Sequence, residues 1–143
     1  MVFGVSDASG VAGTDYSTAA VGGSLTIGAN SVSPFTIKVV SFNPTSNAQG
    51  LATFDSSLNY SWTLVSTGGG IVTFDPTAFT IDTSGFQNPM GTGGFYLSES
   101  GNNLMLNFTP VPEPSTWVLM ASGVCALGAA WRRRRRSDVA RRY

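Results

Sequence analysis

From Gly23 to Thr109 the chain alternates short runs of β-branched and aromatic residues with clusters of Gly, Ser, Asn and Pro. That pattern predicts strands separated by turns. "GSLTIG" opens the series, "FTIKVVSF" follows, and "NPTSNAQG" at 43–50 breaks it. In "LNYSWTLVS", Leu58, Tyr60, Trp62 and Leu64 share one side, and Asn59, Ser61 and Thr63 the other, because successive strand side chains point to opposite faces. "TGGG" at 67–70 turns the chain, and "GIVTF" and "AFTIDT" flank Asp75-Pro76. "SGFQNPMGTGG" at 84–94 reads as a longer loop. "GFYLSES" and "NNLMLNFT" read as a hairpin joined by "SESGNN", with Leu104, Leu106 and Phe108 on one face. "FTIK" at 35 and "FTID" at 79 form a faint internal echo, which chance between two β-rich stretches explains as well.

Residues 1–22 are rich in Gly, Ala, Ser and Thr without a periodic face. They read as an irregular segment, a loop or a strand without neighbours. Residues 23–110 then form a β-rich domain of about seven strands with turns at regular spacing. The predicted fold class is all-β, a sandwich or the capping end of a β-solenoid, with enough alternating apolar residues for one modest core.

After residue 110 the pattern changes. Pro114 to Trp131 is a run of 18 residues without a charged side chain. As an α-helix it measures roughly 27 Å, within the workable range for one C-terminal transmembrane helix at about 115–131. Pro112 and Pro114 disfavour helix before them, and Ser115 or Thr116 can cap the start. Trp117 and Trp131 sit near the two ends, where indoles favour the membrane interface. Arg132, Arg133, Arg134, Arg135 and Arg136 follow as a stop-transfer cluster, held on the cytoplasmic side. Residues 137–143 make a short cytoplasmic end, and the body falls on the other side of the membrane. Ser122, Ala126 and Ala130 fall at four-residue spacing, but small residues here read as featureless helix surface rather than a helix-pairing stripe.

Charge sharpens this division. Residues 1–114 carry seven acids against Lys38, a net of −6, while residues 115–143 carry seven arginines against Asp138, a net of +6. The body has no basic patch for phosphates, so nucleic acid is excluded as a partner. "MVFGVSDASG" has neither the basic nor the apolar region of a secretory signal. Export of the body therefore leads to the expectation of a longer precursor, or of a misassigned start.

Candidate chemistry is sparse. There is no histidine, and the one cysteine, Cys125, lies in the apolar run as a small filler. Ser-His-Asp and Cys-His catalysis, a Cys/His zinc site and an intramolecular disulfide are excluded. No run of alternating Asp and Asn resembles a calcium loop. A carboxylate pair is the remaining catalytic option. Asp75 and Asp82 bracket one strand and Glu99 falls in a turn; each reads as a solvated turn residue. Tyr60 and Trp62 could stack on sugars if exposed, but their alternating face points to the core. Asn59-Tyr-Ser61 and Asn107-Phe-Thr109 are formal glycosylation sequons on predicted strands and read as coincidence. No cofactor is expected.

Taken in order, "VPEPS", the apolar run and the arginines resemble the PEP-CTERM sorting signal of exopolysaccharide-producing Gram-negative bacteria, over residues 111–136. By that resemblance Pro112, Glu113 and Pro114 (112–114) are the recognition motif for an exosortase, a membrane-embedded processing enzyme that removes the helix and arginines. The span is less leucine-rich than usual and "SDVARRY" follows the arginines. "GGSLTIG", "PFTIKVVSF", "YSWTLV", "FTIDTSGF" and "LMLNFTPVPEPST" also resemble regions that follow autotransporter-associated β-strand repeats. That second resemblance implies a β-helical passenger upstream, capped by this body.

The resulting expectation is an exported, non-enzymatic cell-surface or extracellular-matrix protein. Before processing it sits in the inner membrane with its body periplasmic; afterwards it reaches the outer surface or matrix. Its expected partners are the membrane, the exosortase-type enzyme and extracellular polysaccharide. The alternatives are a carbohydrate-binding module or adhesin, or the C-terminal fragment of a secreted glycan-active enzyme.

Overall fold

The computed structural model describes residues 1–111. Its strands are β1 (Val2–Val5), β2 (Ala19–Val21), β3 (Leu25–Thr26), β4 (Phe35–Ser41), β5 (Tyr60–Thr67), β6 (Ile71–Val72), β7 (Phe79–Gly85), β8 (Gly94–Ser100) and β9 (Asn103–Thr109). A single 3₁₀ turn, Pro76–Ala78, precedes β7. The described chain is all-β. The expected helix at 115–131 lies outside the described residues.

Three sheets form, ordered β1-β4-β7, β2-β5-β9-β8 and β3-β6. β1 pairs with β4, β2 with β5, β3 with β6 and β4 with β7, all in parallel. Each parallel partner is the strand three places further on, so the chain runs as a coil: β1-β2-β3 make one turn and β4-β5-β6 the next. β7 begins a third. Then the pattern breaks. β9 pairs antiparallel with β5, and β8 antiparallel with β9. These parallel ladders differ from the antiparallel sheets of a sandwich. The hairpin is the one expected from the sequence. Gly101, with φ 58°, opens its two-residue turn in the conformation that a type II′ turn requires at its first position.

The internal echo is real in space. Phe35 pairs with Phe79, Thr36 with Thr80, Ile37 with Ile81 and Lys38 with Asp82. Like side chains stack on like, with the Phe35 and Phe79 rings 6.3 Å apart, edge to face, and the one charged pair is of opposite sign. Beyond Lys38 the register shifts. Gly85 is needed there, because a Cβ would stand 2.9 Å from Val40 Cγ2 and 3.1 Å from Val39 O.

Residues 1–22 are more ordered than their composition suggests. They supply β1 and β2, with Phe3 and Val5 fully buried. The outer edge of β1 is closed by the loop that follows it. Ser17 N donates to Gly4 O (2.8 Å), Gly4 N to Ser17 Oγ (3.0 Å) and Ser6 N to Asp15 O (2.7 Å). Tyr16 packs its ring on Phe3, 6.2 Å between centroids. Leu58, placed on the core face by alternation, lies before β5 and is half exposed.

The core joins Phe3, Val5, Ile37, Val39, Trp62, Leu64, Leu97, Leu104, Leu106 and Phe108. At one end it is aromatic. Tyr60 stacks on Trp62 (5.4 Å), Phe54 meets Phe108 edge-on (4.9 Å), and Phe86 and Phe95 close the cluster (5.2 Å). Trp62 Nε1 donates to Ala8 O at 2.9 Å, which satisfies the one polar atom of the indole. At the other end Leu25, Ile37, Leu64, Val65, Phe79 and Leu104 line a partly open apolar pocket of about 240 Å³.

Candidate functional site

The residues carrying the sequence reading of the tail all lie outside the described residues. They are Pro112, Glu113, Pro114, Trp117, Trp131 and Arg132 to Arg136. What is described is the place from which they leave the body. β9 ends at Thr109, Pro110 and Val111 follow, and Val111 is exposed. The Val111 carbonyl accepts a hydrogen bond from Thr92 Oγ1 at 2.7 Å. Thr92 lies in the 86–93 connection between β7 and β8. Sequence reading marked 84–94 only as a longer loop, and nothing in its pattern singles out Thr92.

Three of the body's acids bond the backbone two residues further on. Asp75 caps the 3₁₀ turn, its Oδ1 accepting from Thr77 Oγ1 (2.7 Å) and Thr77 N (2.8 Å). Those donors hold its carboxyl below the ordinary range. Asp82 lies within β7 and accepts from Ser84 N (2.9 Å). The Ser84 donors, with a smaller contribution from the facing Lys38, lower it as well. Asp55 behaves alike through Ser57 N and Oγ. Asp55 and Asp75 are exposed and Asp82 is half-buried; each is ionised at neutral pH and bonded to the residue two places on. A glycosidase-type pair needs one carboxyl raised to act as acid, the opposite direction. Glu99, expected in a turn, sits in β8 instead.

Trp62 is only 1% exposed, and the Tyr60 hydroxyl oxygen accepts from Asp55 N at 3.0 Å. The stretch that could have presented a stacking platform is spent on the core. Among the tyrosines, Tyr96 on β8 is half exposed. A polar cleft of about 340 Å³ lies beside β1, between Thr14, Asp15, Phe42 and Asn47. The Phe42 ring lies down against Gly4, where a Cβ would stand 2.8 Å from its edge. The ring is packed rather than presented.

The two sequons separate clearly. Asn59 is exposed at the entry to β5. Asn107 is buried in a cross-strand ladder, accepting from Ser61 Oγ (2.8 Å) and donating to Ser98 Oγ (2.9 Å). Among the described residues, no group of His, Cys, Asp or Glu is arranged to hold a metal ion, and no helix is long and apolar enough to cross a membrane.

The family model of the PEP-CTERM protein-sorting motif matches residues 110–135. The match takes in Pro112, Glu113, Pro114, Trp117, Trp131 and the arginines to Arg135. It begins directly after the last strand. No curated protein and no solved structure matches the chain. The resemblance of the body to autotransporter-associated repeats finds no support in these comparisons.

Proposed function

We propose that the chain is a non-enzymatic β-scaffold of the cell surface or extracellular matrix, exported and sorted through its C-terminal signal. The observation that carries this reading is the PEP-CTERM match at 110–135. In this reading Pro112, Glu113 and Pro114 are recognised by an exosortase-type enzyme. The apolar run 115–131, with Trp117 and Trp131 at its interfaces, anchors the precursor, and Arg132–Arg136 hold its end in the cytoplasm. The body is then periplasmic until cleavage releases it towards the polysaccharide-rich exterior.

The body's own chemistry supports a scaffold. Most of its aromatic rings are packed inside, and Asp55, Asp75 and Asp82 are bonded to the backbone two residues on. Its coil of parallel strands ends in an antiparallel hairpin, as the closing end of a β-solenoid would.

The test is the mass of the chain from cells with and without the processing enzyme. The expected result is a shortened chain lacking the arginines only where the enzyme is present, and an uncut chain for Glu113→Ala in both. A mature chain that retains Arg132–Arg136 in enzyme-bearing cells would falsify the reading.

A further inference from the structure

Two loops meet at the polar cleft of about 340 Å³ beside β1, and each is fixed by its own hydrogen bonds. In the first, Asp15 Oδ2 accepts from Val11 N (2.7 Å) and Asp15 N donates to Val11 O (2.8 Å). Gly13, at φ 78°, donates its N–H to Tyr16 O (2.8 Å). In the second, Asn43 Oδ1 accepts from Thr45 N (2.9 Å) and Ser46 N (3.0 Å), and Asn47 N donates to Asn43 O (2.9 Å). That bonding holds Asn47 at φ 54°, a left-handed conformation that few residues other than glycine adopt. Thr14, Asp15 and Asn47 all line the cleft. Among the described residues, Thr14 Oγ1, Asp15 Oδ1 and the Asn47 side-chain amide make no hydrogen bond.

We propose that this cleft binds one ring of a neutral saccharide, with Thr14, Asp15 and Asn47 as its hydrogen-bonding partners. The size lies at the lower end of small-molecule sites, about 300–1,000 Å³, and suits a single ring. The chemistry removes other ligand classes. An anion meets the Asp15 carboxylate with no lysine or arginine in the lining to offset it. An apolar ligand would strip water from a carboxylate, a hydroxyl and an amide and return no hydrogen bond. A hard cation needs several oxygen ligands, and Asp15 is the one carboxylate in the lining. A flat aromatic ligand finds no free platform, because the Phe42 ring is packed with its edge on Gly4. A sugar hydroxyl both donates and accepts. It therefore matches a carboxylate that only accepts, an amide that does both and a threonine hydroxyl that does either. Both walls are set by their own backbone bonds before a ligand arrives, so little ordering is left to oppose binding. The site belongs to the body and goes beyond the sorting reading: it holds whether or not the tail is cut.

The experiment titrates the full chain, in micelles of a detergent without a sugar head group, with methyl glucoside, methyl galactoside and methyl mannoside. Amide chemical shifts are followed by NMR. At least one of the three should saturate shifts at residues 13–16 and 47, with a dissociation constant on the order of millimolar, as a small polar ligand with few anchoring atoms gives. Methyl glucuronide, which adds a negative charge to the glucoside, should bind more weakly than methyl glucoside. Thr14→Val and Asn47→Gly should each weaken binding by about three- to tenfold, the loss of one hydrogen bond. Both variants keep the fold: Thr14 is exposed, and glycine adopts the backbone conformation of Asn47 freely. A dispersed amide spectrum checks this. Tyr96→Ser, on the half-exposed tyrosine of β8, should leave binding unchanged. The proposal is overturned if none of the three glycosides gives saturable shifts at the cleft, or if methyl glucuronide binds as well as they do. Wild-type affinity in both Thr14→Val and Asn47→Gly would overturn it too, as would binding that is lost in Tyr96→Ser.

Discussion

The two ends of the core are built on different principles. At one, Phe54, Tyr60, Trp62, Phe86, Phe95 and Phe108 interlock as rings, most of them edge to face or stacked at about 5–6 Å, distances at which aromatic pairs add to simple burial. At the other, mainly aliphatic side chains, joined by Phe35 and Phe79, line an apolar pocket of about 240 Å³. The aromatic end joins the hairpin strands, β5 and the loops around Phe54 and Phe86. The aliphatic end belongs chiefly to the parallel coil. A coil built by stacking like on like fixes side-chain positions by the backbone repeat, so its interior fills only as well as the repeat allows. The hairpin is free of that repeat and seats large rings where the space is. The difference predicts that rigidity is concentrated near the exit of the chain, beside the turn that holds Val111.

Removing the ring that links both sheets at the aromatic end should have the largest effect. Trp62→Ala leaves a hole and an unpaired Ala8 carbonyl, and is expected to cost about 3–5 kcal/mol, measurable by denaturant unfolding. A loss below about 1 kcal/mol would mean that the aromatic end is not the tighter of the two.

A second pair of substitutions compares the ends directly. Ala8→Val, at a site 5% exposed against Trp62, overfills the aromatic end and should destabilise by about 1–3 kcal/mol. Val65→Ile adds one methylene beside the cavity and should be neutral or stabilise by about 0.5–1 kcal/mol. Equal and opposite results in thermal unfolding would reverse the assignment of loose and tight ends.

The smallest effect lies at the surface and is shared by both regions. Asp55, Asp75 and Asp82 are lowered from 3.8 by donors that exist only in the folded chain. Depressed folded values stabilise the fold above the unfolded value and cease to do so as pH falls through the folded ones. All three groups lie at the solvent-accessible surface, so the loss is small. Melting temperature should be flat from neutral pH down to about 4 and decline modestly below it. A rise in stability on acidification would contradict the hydrogen-bonded turns.

Much of this was legible in the chain itself. The hairpin followed from "YLSESGNNLML", where alternation and a glycine at the turn coincide. The all-β class followed from repeated short apolar runs, and the sorting tail from Pro-Glu-Pro, an uncharged run and consecutive arginines in order. These are local signals, set by the period of side chains along a strand or the length of an uncharged run. What sequence reading could not supply was pairing. β1 and β2 were hidden among small residues, because a three- or four-residue strand buried by neighbours 36 to 46 positions away needs no periodicity of its own. The echo of "FTIK" and "FTID" stayed ambiguous until the fold set the two side by side. The hydrogen bond from Thr92 to the Val111 carbonyl was invisible because it depends on where β9 ends in space. The sequence alone determined which of the longer segments extend and where the sorting motif lies. Only the tertiary structure decided which strands stack, because parallel pairing is a contact between distant segments that no short window of residues encodes.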